Sequence, residues 1–290
     1  MRAFSLSYCG LKRALPFASL LLLSTRGEAQ IQIDLKLRRF QYIAYEPIMA
    51  TLTITNLAGR SVELRGADGQ PWLGFEVTAS EGQPISQVAA DQSPLTLKIE
   101  AGGRVNRKIN LTSLYPVHDF GAYHVRAHIY FADLGKFFYS QPKVFEVTGA
   151  RSVWQRTVGI PENARGPGKT RTYSLLTNRF PDHTSLYVQV EDKDSGIVYA
   201  TYSLGRSVAF GEPQAELDRA NQLHVLHCAA PRSWSYSRVG LNGELLTRSR
   251  FAETKTHPRL RHAPDGRIFV AGGTIEAVPH ISESRRASPP

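Results

Sequence analysis

The chain has 290 residues, with 35 lysines and arginines against 25 aspartates and glutamates, so its formal net charge is +10 at pH 7. The excess lies in residues 151–290, which hold 19 basic and 13 acidic side chains, whereas residues 30–150 hold 12 and 11. A basic surface permits an anionic partner, such as an acidic polysaccharide or a lipid headgroup. No run of consecutive basic residues forms a patch, so a solvated basic surface is the simpler explanation and no nucleic-acid partner is predicted.

Residues 1–29 have the layout of a secretory signal peptide. A basic flank precedes an apolar run at residues 14–24, and small residues at 27 and 29 stand before Gln30. The apolar run is too short to span a bilayer, which needs about 20 residues, and no second such run follows. We therefore expect an exported protein, periplasmic or extracellular at the cell envelope, without a transmembrane anchor.

Removal of residues 1–29 would leave one cysteine, Cys228, and hence no intramolecular disulfide. Stability must then come from packing. Cys228 alternates with His224 and Leu226 along a predicted strand, which indicates a buried and unreactive thiol.

Residues 30–148 predict an antiparallel β-sandwich. About seven short apolar–polar alternating segments follow one another between turn signals, and none shows a helical period over three turns. These segments lie at 31–40, 48–57, 71–77, 95–99, 107–111, 123–131 and 143–147. Strands of this length and spacing are typical of two packed sheets.

Two short motifs sharpen this prediction. The stretch from Asp119 through Gly121 to Tyr123 resembles the Asp-x-Gly-x-Tyr motif that opens strand F of immunoglobulin-like domains, and Tyr45-Glu46-Pro47 resembles an entry into strand B of bacterial macroglobulin-like or fibronectin-like modules. The resemblance implies that the Tyr123 hydroxyl bonds to upstream backbone. It concerns the fold only and implies no activity.

His124 and His128 share one face of the predicted strand at 123–131, a pattern that raises the question of a metal site. Arg126 lies between them and would repel a cation, and no carboxylate is adjacent. We predict a solvent-facing or partner-facing surface and no metal.

Residues 149–185 are rich in proline and glycine and predict a loop-rich linker. Gly168-Lys169-Thr170 ends like a phosphate-binding loop. However, Asn163 replaces the first glycine of that motif, and Pro167 removes a backbone N–H that would face phosphate. We predict no nucleotide site and no cofactor.

Residues 186–279 predict β-hairpins with an internal repeat. Pro213 and Pro258 are 45 residues apart, as are Leu223 and Ile268, and a period near 40–45 with short strands is typical of propeller blades. The repeats resemble blades of bacterial β-propellers, although the chain has room for about three and closure takes typically four to eight. The sequence from Asp192 to Gly196 is similar to a calcium loop but lacks the distal glutamate, so a polar hairpin tip is expected.

The fold class predicted is therefore all-β, an immunoglobulin-like sandwich at 30–148 followed by hairpin repeats at 186–279, with a disordered tail at 280–290. On the strand after residue 232, Trp234, Tyr236 and Arg238 share one face. They could form a platform for a sugar ring or a protein partner, or the two aromatic residues could be core between hairpins.

No nucleophile elbow, zinc-protease motif or Cys-x-x-Cys pair is present. The sequence favours a non-enzymatic binding or scaffold protein of a bacterial cell envelope, with an envelope polysaccharide or a protein as partner. An envelope hydrolase acting on glycans through dispersed acidic residues and a secreted proteinase inhibitor are the alternatives.

Overall fold

The computed structural model describes residues 31–67, 71–89, 94–160, 170–208 and 211–276. The expected signal peptide and C-terminal tail lie outside these ranges. The described residues form an all-β protein whose only helical turns are two 3₁₀ segments, Leu111–Ser113 and Ala132–Leu134. None of the helical segments described is long and apolar enough to cross a bilayer.

The first ten strands precede residue 149. They are β1 (Ile31–Leu37), β2 (Gln41–Ile43), β3 (Met49–Asn56), β4 (Val62–Arg65), β5 (Leu73–Ala79), β6 (Thr96–Ile99), β7 (Arg104–Asn110), β8 (Gly121–Phe131), β9 (Lys136–Tyr139) and β10 (Lys143–Thr148). One sheet has the order β1-β3-β7 and a second the order β2-β10-β8-β5, with β9 also on β8. Strands β4 and β6 form a separate pair. All pairings are antiparallel except that of β2 with β10.

The two larger sheets share one hydrophobic core, as the alternation of the sequence predicted. Leu35, Leu52 and Ile54 face inward from the first sheet, and Val125 and Ile129 face inward from the second. Each of these side chains is at most 1% exposed. Since every second residue of a strand points to the same side, this alternation determines which face is buried. Strands β2, β4 and β9 were not predicted.

The Tyr123 side chain makes the contact that the sequence implied. Its hydroxyl donates a hydrogen bond to the backbone carbonyl of Asp119 at 2.9 Å, and its ring stacks on Phe145 at 5.3 Å between centroids. The bond fixes the chain where it enters β8.

The remaining strands follow residue 150. They are β11 (Arg151–Gly159), β12 (Thr170–Arg179), β13 (Thr184–Asp192), β14 (Ile197–Ser207), β15 (Gln214–Leu217), β16 (Leu223–Ala230), β17 (Ser233–Val239), β18 (Leu245–Ala252), β19 (Arg259–His262), β20 (Ile268–Ala271) and β21 (Thr274–Ile275). They form a sheet β11-β12-β13-β14, a sheet β15-β16-β17-β18-β21 and a hairpin β19-β20, all antiparallel.

The two larger of these sheets pack on a second apolar cluster. It includes Leu175 and Val188 from the first sheet and Leu223, Val225 and Val239 from the second. The hairpin β19-β20 lies next to β15, where the backbone N–H of Leu260 donates to the side-chain oxygen of Gln214 at 2.9 Å.

The prediction of a loop-rich linker at 149–185 is wrong for most of that segment. Two long strands, β11 and β12, occupy it and belong to the same sheet as β13. The error has a physical cause: β12 is largely buried on both faces, and β11 is largely exposed along a sheet edge, so neither alternates clearly. The residues 161–169, where the phosphate-loop resemblance and most of the proline and glycine fall, lie outside the described ranges.

The 45-residue repeat corresponds to two hairpins. Strand β15 begins 45 residues before β19, and β16 begins 45 residues before β20. The turn within the second hairpin contains Gly266 at φ +83°, a left-handed conformation that favours glycine. Asp192 closes the tip of the β13–β14 hairpin, because its carboxylate accepts the backbone N–H groups of Asp194 and Ser195.

Arg39 connects the first core to the second part of the chain. Its guanidinium pairs with Glu46, donates to the Tyr187 hydroxyl at 2.9 Å, and lies 4.7 Å from the centre of the Tyr42 ring and 5.6 Å from that of Phe180. The Glu46 side chain is buried, and burial raises the pKa of its carboxyl despite the opposing charge of Arg39.

Candidate functional groove

Strand β17 separates small from large side chains. Ser235, Ser237 and Val239 are buried on the face that packs towards the β11–β14 sheet, where their small side chains allow close packing. Trp234, Tyr236 and Arg238 lie on the opposite face and are half-buried. Because these side chains are half-buried, their exposure agrees both with a binding platform and with a position in the core, and both stay predictions.

The three side chains of this face have different surroundings. Tyr236 and Arg238 lie beside His224 on β16, whereas Trp234, at the start of β17, lines a surface groove. The structure therefore places only Trp234 of the predicted trio along the part of the groove that it describes.

Tyr236 belongs to a hydrogen-bonded chain with His224 and Asp218. The His224 ring nitrogens lie 2.8 Å from the Tyr236 hydroxyl and 3.1 Å from the Asp218 carboxylate. Burial lowers the pKa of His224, against the effect of Asp218, and burial raises the pKa of Tyr236. Both groups are then neutral near pH 7. Because His224 is only 3% exposed, its bonds to Tyr236 and Asp218 are internal contacts that hold β16 to β17 and to the turn before β16.

The groove crosses one rim of the stacked sheets in three connected parts. The middle part, about 560 Å³, lies at Trp234, Cys228 and Glu253. A part of about 620 Å³ continues it past Glu212 towards Arg151, at the start of β11. A part of about 470 Å³ continues it in the other direction past His257 and Arg259. The ends of strands from two sheets and a hairpin thus form one continuous surface.

A short polar network holds Trp234 in the groove. Its indole N–H donates to the Glu253 carboxylate at 3.3 Å, and the His257 ring contacts the same carboxylate oxygen at 2.9 Å. The bond from Trp234, followed by that from His257, lowers the pKa of Glu253. Glu253 is consequently ionised near neutral pH, and its carboxylate orients the indole. A backbone hydrogen bond from the Glu253 N–H to the Arg232 carbonyl holds Glu253 in place.

The groove lining is strongly basic. Among the residues that the structure describes, five side chains with permanent positive charge line it: Arg151, Arg232, Lys255, Arg259 and Arg261. Two carboxylates, Glu212 and Glu253, oppose them. A second indole, Trp154, lines the part near Arg151. Such a surface attracts anions and offers aromatic faces for stacking.

Cys228 is partly exposed, which corrects the prediction that it is buried. The pairing of β16 with β17 shifts register between Cys228 and Ala230, so the end of β16 opens at the groove. Partial burial still raises the pKa of the thiol, so it remains protonated and slow to react.

The outer face of β8 is exposed only in part, because His128 is half-buried against Phe137 and Tyr139 and burial lowers its pKa. His124 and Arg126 are exposed, and Arg126 pairs with Glu76 at 2.5 Å while lying 4.5 Å from the Tyr139 ring centre. Together with Phe137, Tyr139 makes an exposed aromatic surface on β9. Within the described residues, no three His, Cys, Asp or Glu side chains form a group that could hold a metal ion.

Sequence reasoning missed most of the groove. The chain that follows β18 contributes four groove residues: Glu253, His257, Arg259 and Arg261. The sequence signal for them was the group of basic residues and histidines on either side of Pro258. Arg151 and Trp154 lie about 80–110 residues earlier in the chain, so no local pattern connects them to Trp234.

Comparisons with known proteins add little to this geometry. No protein-family model matches the chain, and no curated protein matches it. Among solved structures, the chain is similar to the crystal structure of Spo0M, a sporulation control protein from Bacillus subtilis. That match has 10% sequence identity and a TM-score of 0.29, and it covers 60% of this chain and 91% of the other. A similarity at this level carries no argument about function.

Proposed function

We propose that the chain is an exported, non-enzymatic binding protein of a bacterial cell envelope, and that its ligand occupies the groove at Trp234. The single observation that carries this proposal is an indole fixed by Glu253 within a continuous, basic groove. Rigid aromatic side chains with polar neighbours are favoured at binding surfaces because they bury area at little entropic cost. The leader-like sequence at residues 1–29 supports export.

The proposal includes a division into two domains. The packed sheets of β1–β10, the parallel β2–β10 pair and the Tyr123–Asp119 bond support an immunoglobulin-like sandwich. Two antiparallel meanders of four strands and a third hairpin support a partial propeller-like array. In this interpretation the sandwich is a support, and its exposed Phe137 and Tyr139 offer a second contact surface.

Binding should be tested with the full chain and the Trp234→Ala variant. We expect the wild type to be retained on polysaccharide isolated from the envelope of its host and the variant to lose at least tenfold in affinity. Phe40→Ala is the control, because it also removes an exposed aromatic ring and Phe40 does not line the groove. Equal retention of all three folded proteins would refute the groove as the ligand site.

Cys228 provides a local readout of occupancy. Since its thiol lines the groove near Trp234, a bound ligand should slow alkylation of Cys228, as measured by mass spectrometry of the labelled peptide. Retention on polysaccharide without protection of Cys228 would place the ligand elsewhere, for example on the aromatic surface of β9.

A glycan hydrolase is the second candidate, because two carboxylates, Glu212 and Glu253, line the groove. Glycoside hydrolysis needs one carboxyl that is protonated to donate to the leaving group. The lowered pKa of Glu253 argues against that role for it. The release of reducing ends from envelope polysaccharide, abolished by Glu253→Gln or Glu212→Gln, would favour the hydrolase over the binding protein.

A further inference from the structure

Building on the proposed function, we propose that the ligand of the groove is an acidic polysaccharide whose sugars carry carboxylates. In this arrangement a sugar ring lies on Trp234 and successive carboxylates meet the basic side chains on either side of it. We infer this class of ligand from three features of the groove: its positive charge, the absence of ion pairs to its arginines and lysine among the described residues, and the number of strand ends that it crosses.

Most cations of the groove form no ion pair with a described carboxylate of the protein itself. Within the described residues, no salt bridge joins Arg151, Lys255, Arg259 or Arg261 to a carboxylate. By contrast, Arg267, on the same hairpin as Arg259 but outside the groove, pairs with Asp265 at 2.6 Å. The groove therefore presents positive charge that an external anion can neutralise.

The carboxylates of the groove do not cancel this charge. Glu253 is engaged by the Trp234 indole and the His257 ring, which leaves Glu212 as the second acidic group. Five cations against two carboxylates favour an anionic ligand over a neutral one, because each side chain that meets a carboxylate can form charge-assisted hydrogen bonds. Arginine is suited to this contact by its planar, bidentate geometry.

The extent of the groove favours a polymer. It runs across the ends of strands from two packed sheets and a hairpin, in three parts of about 470 to 620 Å³ each. Arg259 and Arg261 alternate with Leu260 on β19 and so project to the same side, about 7 Å apart. Each of the three parts has at least one cation in its lining, and Trp234 lines the middle part, so a chain of sugar rings with repeated carboxylates fits the groove better than a small anion does.

The probe for this proposal is polygalacturonate, and its methyl ester is the matched ligand, because esterification removes the charge and keeps the sugar backbone. We expect the wild-type chain to bind polygalacturonate at least tenfold more tightly than the ester by calorimetry. We also expect the affinity for polygalacturonate to fall steeply between 50 and 500 mM sodium chloride, on the order of tenfold, since salt screens exposed charges.

The basic side chains are tested by the double variant Arg259→Gln with Arg261→Gln. Both residues are exposed, so the variant should fold, and it should lose about tenfold in affinity for polygalacturonate. Arg250→Gln with Arg267→Gln is the control, since it also removes two exposed arginines and neither of them lines the groove. Equal loss in both variants would show that net charge, and not the groove, attracts the polymer, and would overturn the proposal.

The failure of this inference can be distinguished from failure of the proposed function. If Trp234→Ala abolishes retention on envelope polysaccharide while polygalacturonate and its ester bind equally, the groove binds a neutral glycan and only the inference is wrong. If inorganic polyphosphate or anionic phospholipid vesicles bind and polygalacturonate does not, the ligand is a phosphate compound and the inference is again wrong. If Trp234→Ala changes none of these interactions, the proposed function fails.

Discussion

Replacement of Arg39 and of Glu46 should affect stability unequally. Removing Arg39 leaves the buried Glu46 carboxylate without its cation, whereas removing the charge of Glu46 leaves an arginine that is 28% exposed and can turn towards water. Breaking a buried pair costs about 3–5 kcal/mol when the charge left behind is buried. We expect Arg39→Ala to cost about 3 kcal/mol, since water reaches part of this site, and Glu46→Gln to cost about 1 kcal/mol, the value of a typical hydrogen bond.

Guanidinium denaturation followed by tryptophan fluorescence measures both changes. Tyr187→Phe is the control for the bond that Arg39 makes to the second part of the chain, and it should cost about 1 kcal/mol. A cost of Glu46→Gln equal to or greater than that of Arg39→Ala would refute the reasoning, because it would mean that the uncompensated carboxylate is not the source of the penalty.

The pH dependence gives an independent check of the same idea. Burial already raises the pKa of Glu46, and loss of Arg39 should raise it further. A carboxyl with a raised folded-state pKa binds its proton more tightly in the folded than in the unfolded chain, so folding stability falls as pH rises through that pKa. The cost of Arg39→Ala should therefore be larger at pH 7 than at pH 5, and a cost that grows on acidification would contradict the assignment.

Three further predictions concern single side chains. Burial lowers the pKa of His227 to about 4, so at mildly acidic pH the unfolded chain binds a proton at this residue that the folded chain does not. The free energy of unfolding should therefore fall by up to about 3 kcal/mol as pH falls from 6.5 towards 4. In urea titrations His227→Asn should flatten this pH dependence, and an unchanged slope between pH 7 and 5 would contradict the prediction. Tyr123→Phe should cost about 1 kcal/mol in the same assay by removing the bond to the Asp119 carbonyl, and Tyr139→Phe, at an exposed ring, should cost less than about 0.5 kcal/mol. Because its pKa is raised, Cys228 should react with iodoacetamide more slowly at pH 7.5 in the folded chain than in urea, and a faster reaction when folded would show an activated thiol.

The sequence by itself determined the strand faces of the first part of the chain. In β1, β3 and β8 the apolar residues alternate strictly, and a strand with one buried face can take only one orientation towards its core without exposing that set. The Tyr123 corner and the 45-residue hairpin repeat could also be predicted, since the first depends on a local motif and the second on a fixed spacing.

Strands in which apolar and polar residues do not alternate could not be predicted from the sequence. Strand β12 is largely buried on both faces and β11 is largely exposed along an edge, so the contrast between apolar and polar positions that marks a strand is missing from both. Proline and glycine in the connection between them then dominated the prediction of a linker. Only the pairing of β11, β12 and β13 in one sheet shows that this segment is part of the core.

The groove was decided by the tertiary structure alone. Trp234, Tyr236 and Arg238 were candidates for a binding platform because they share one strand face, with a core position as the alternative. Of the three, Tyr236 and Arg238 lie beside His224 and Trp234 lines the groove. The side chains that do accompany Trp234 come from strand ends that are far apart in sequence, from Arg151 to Arg261. Local patterns encode which side of a strand is buried, whereas a site at the rim of stacked sheets depends on which strand ends meet, and that is set by the packing of whole sheets.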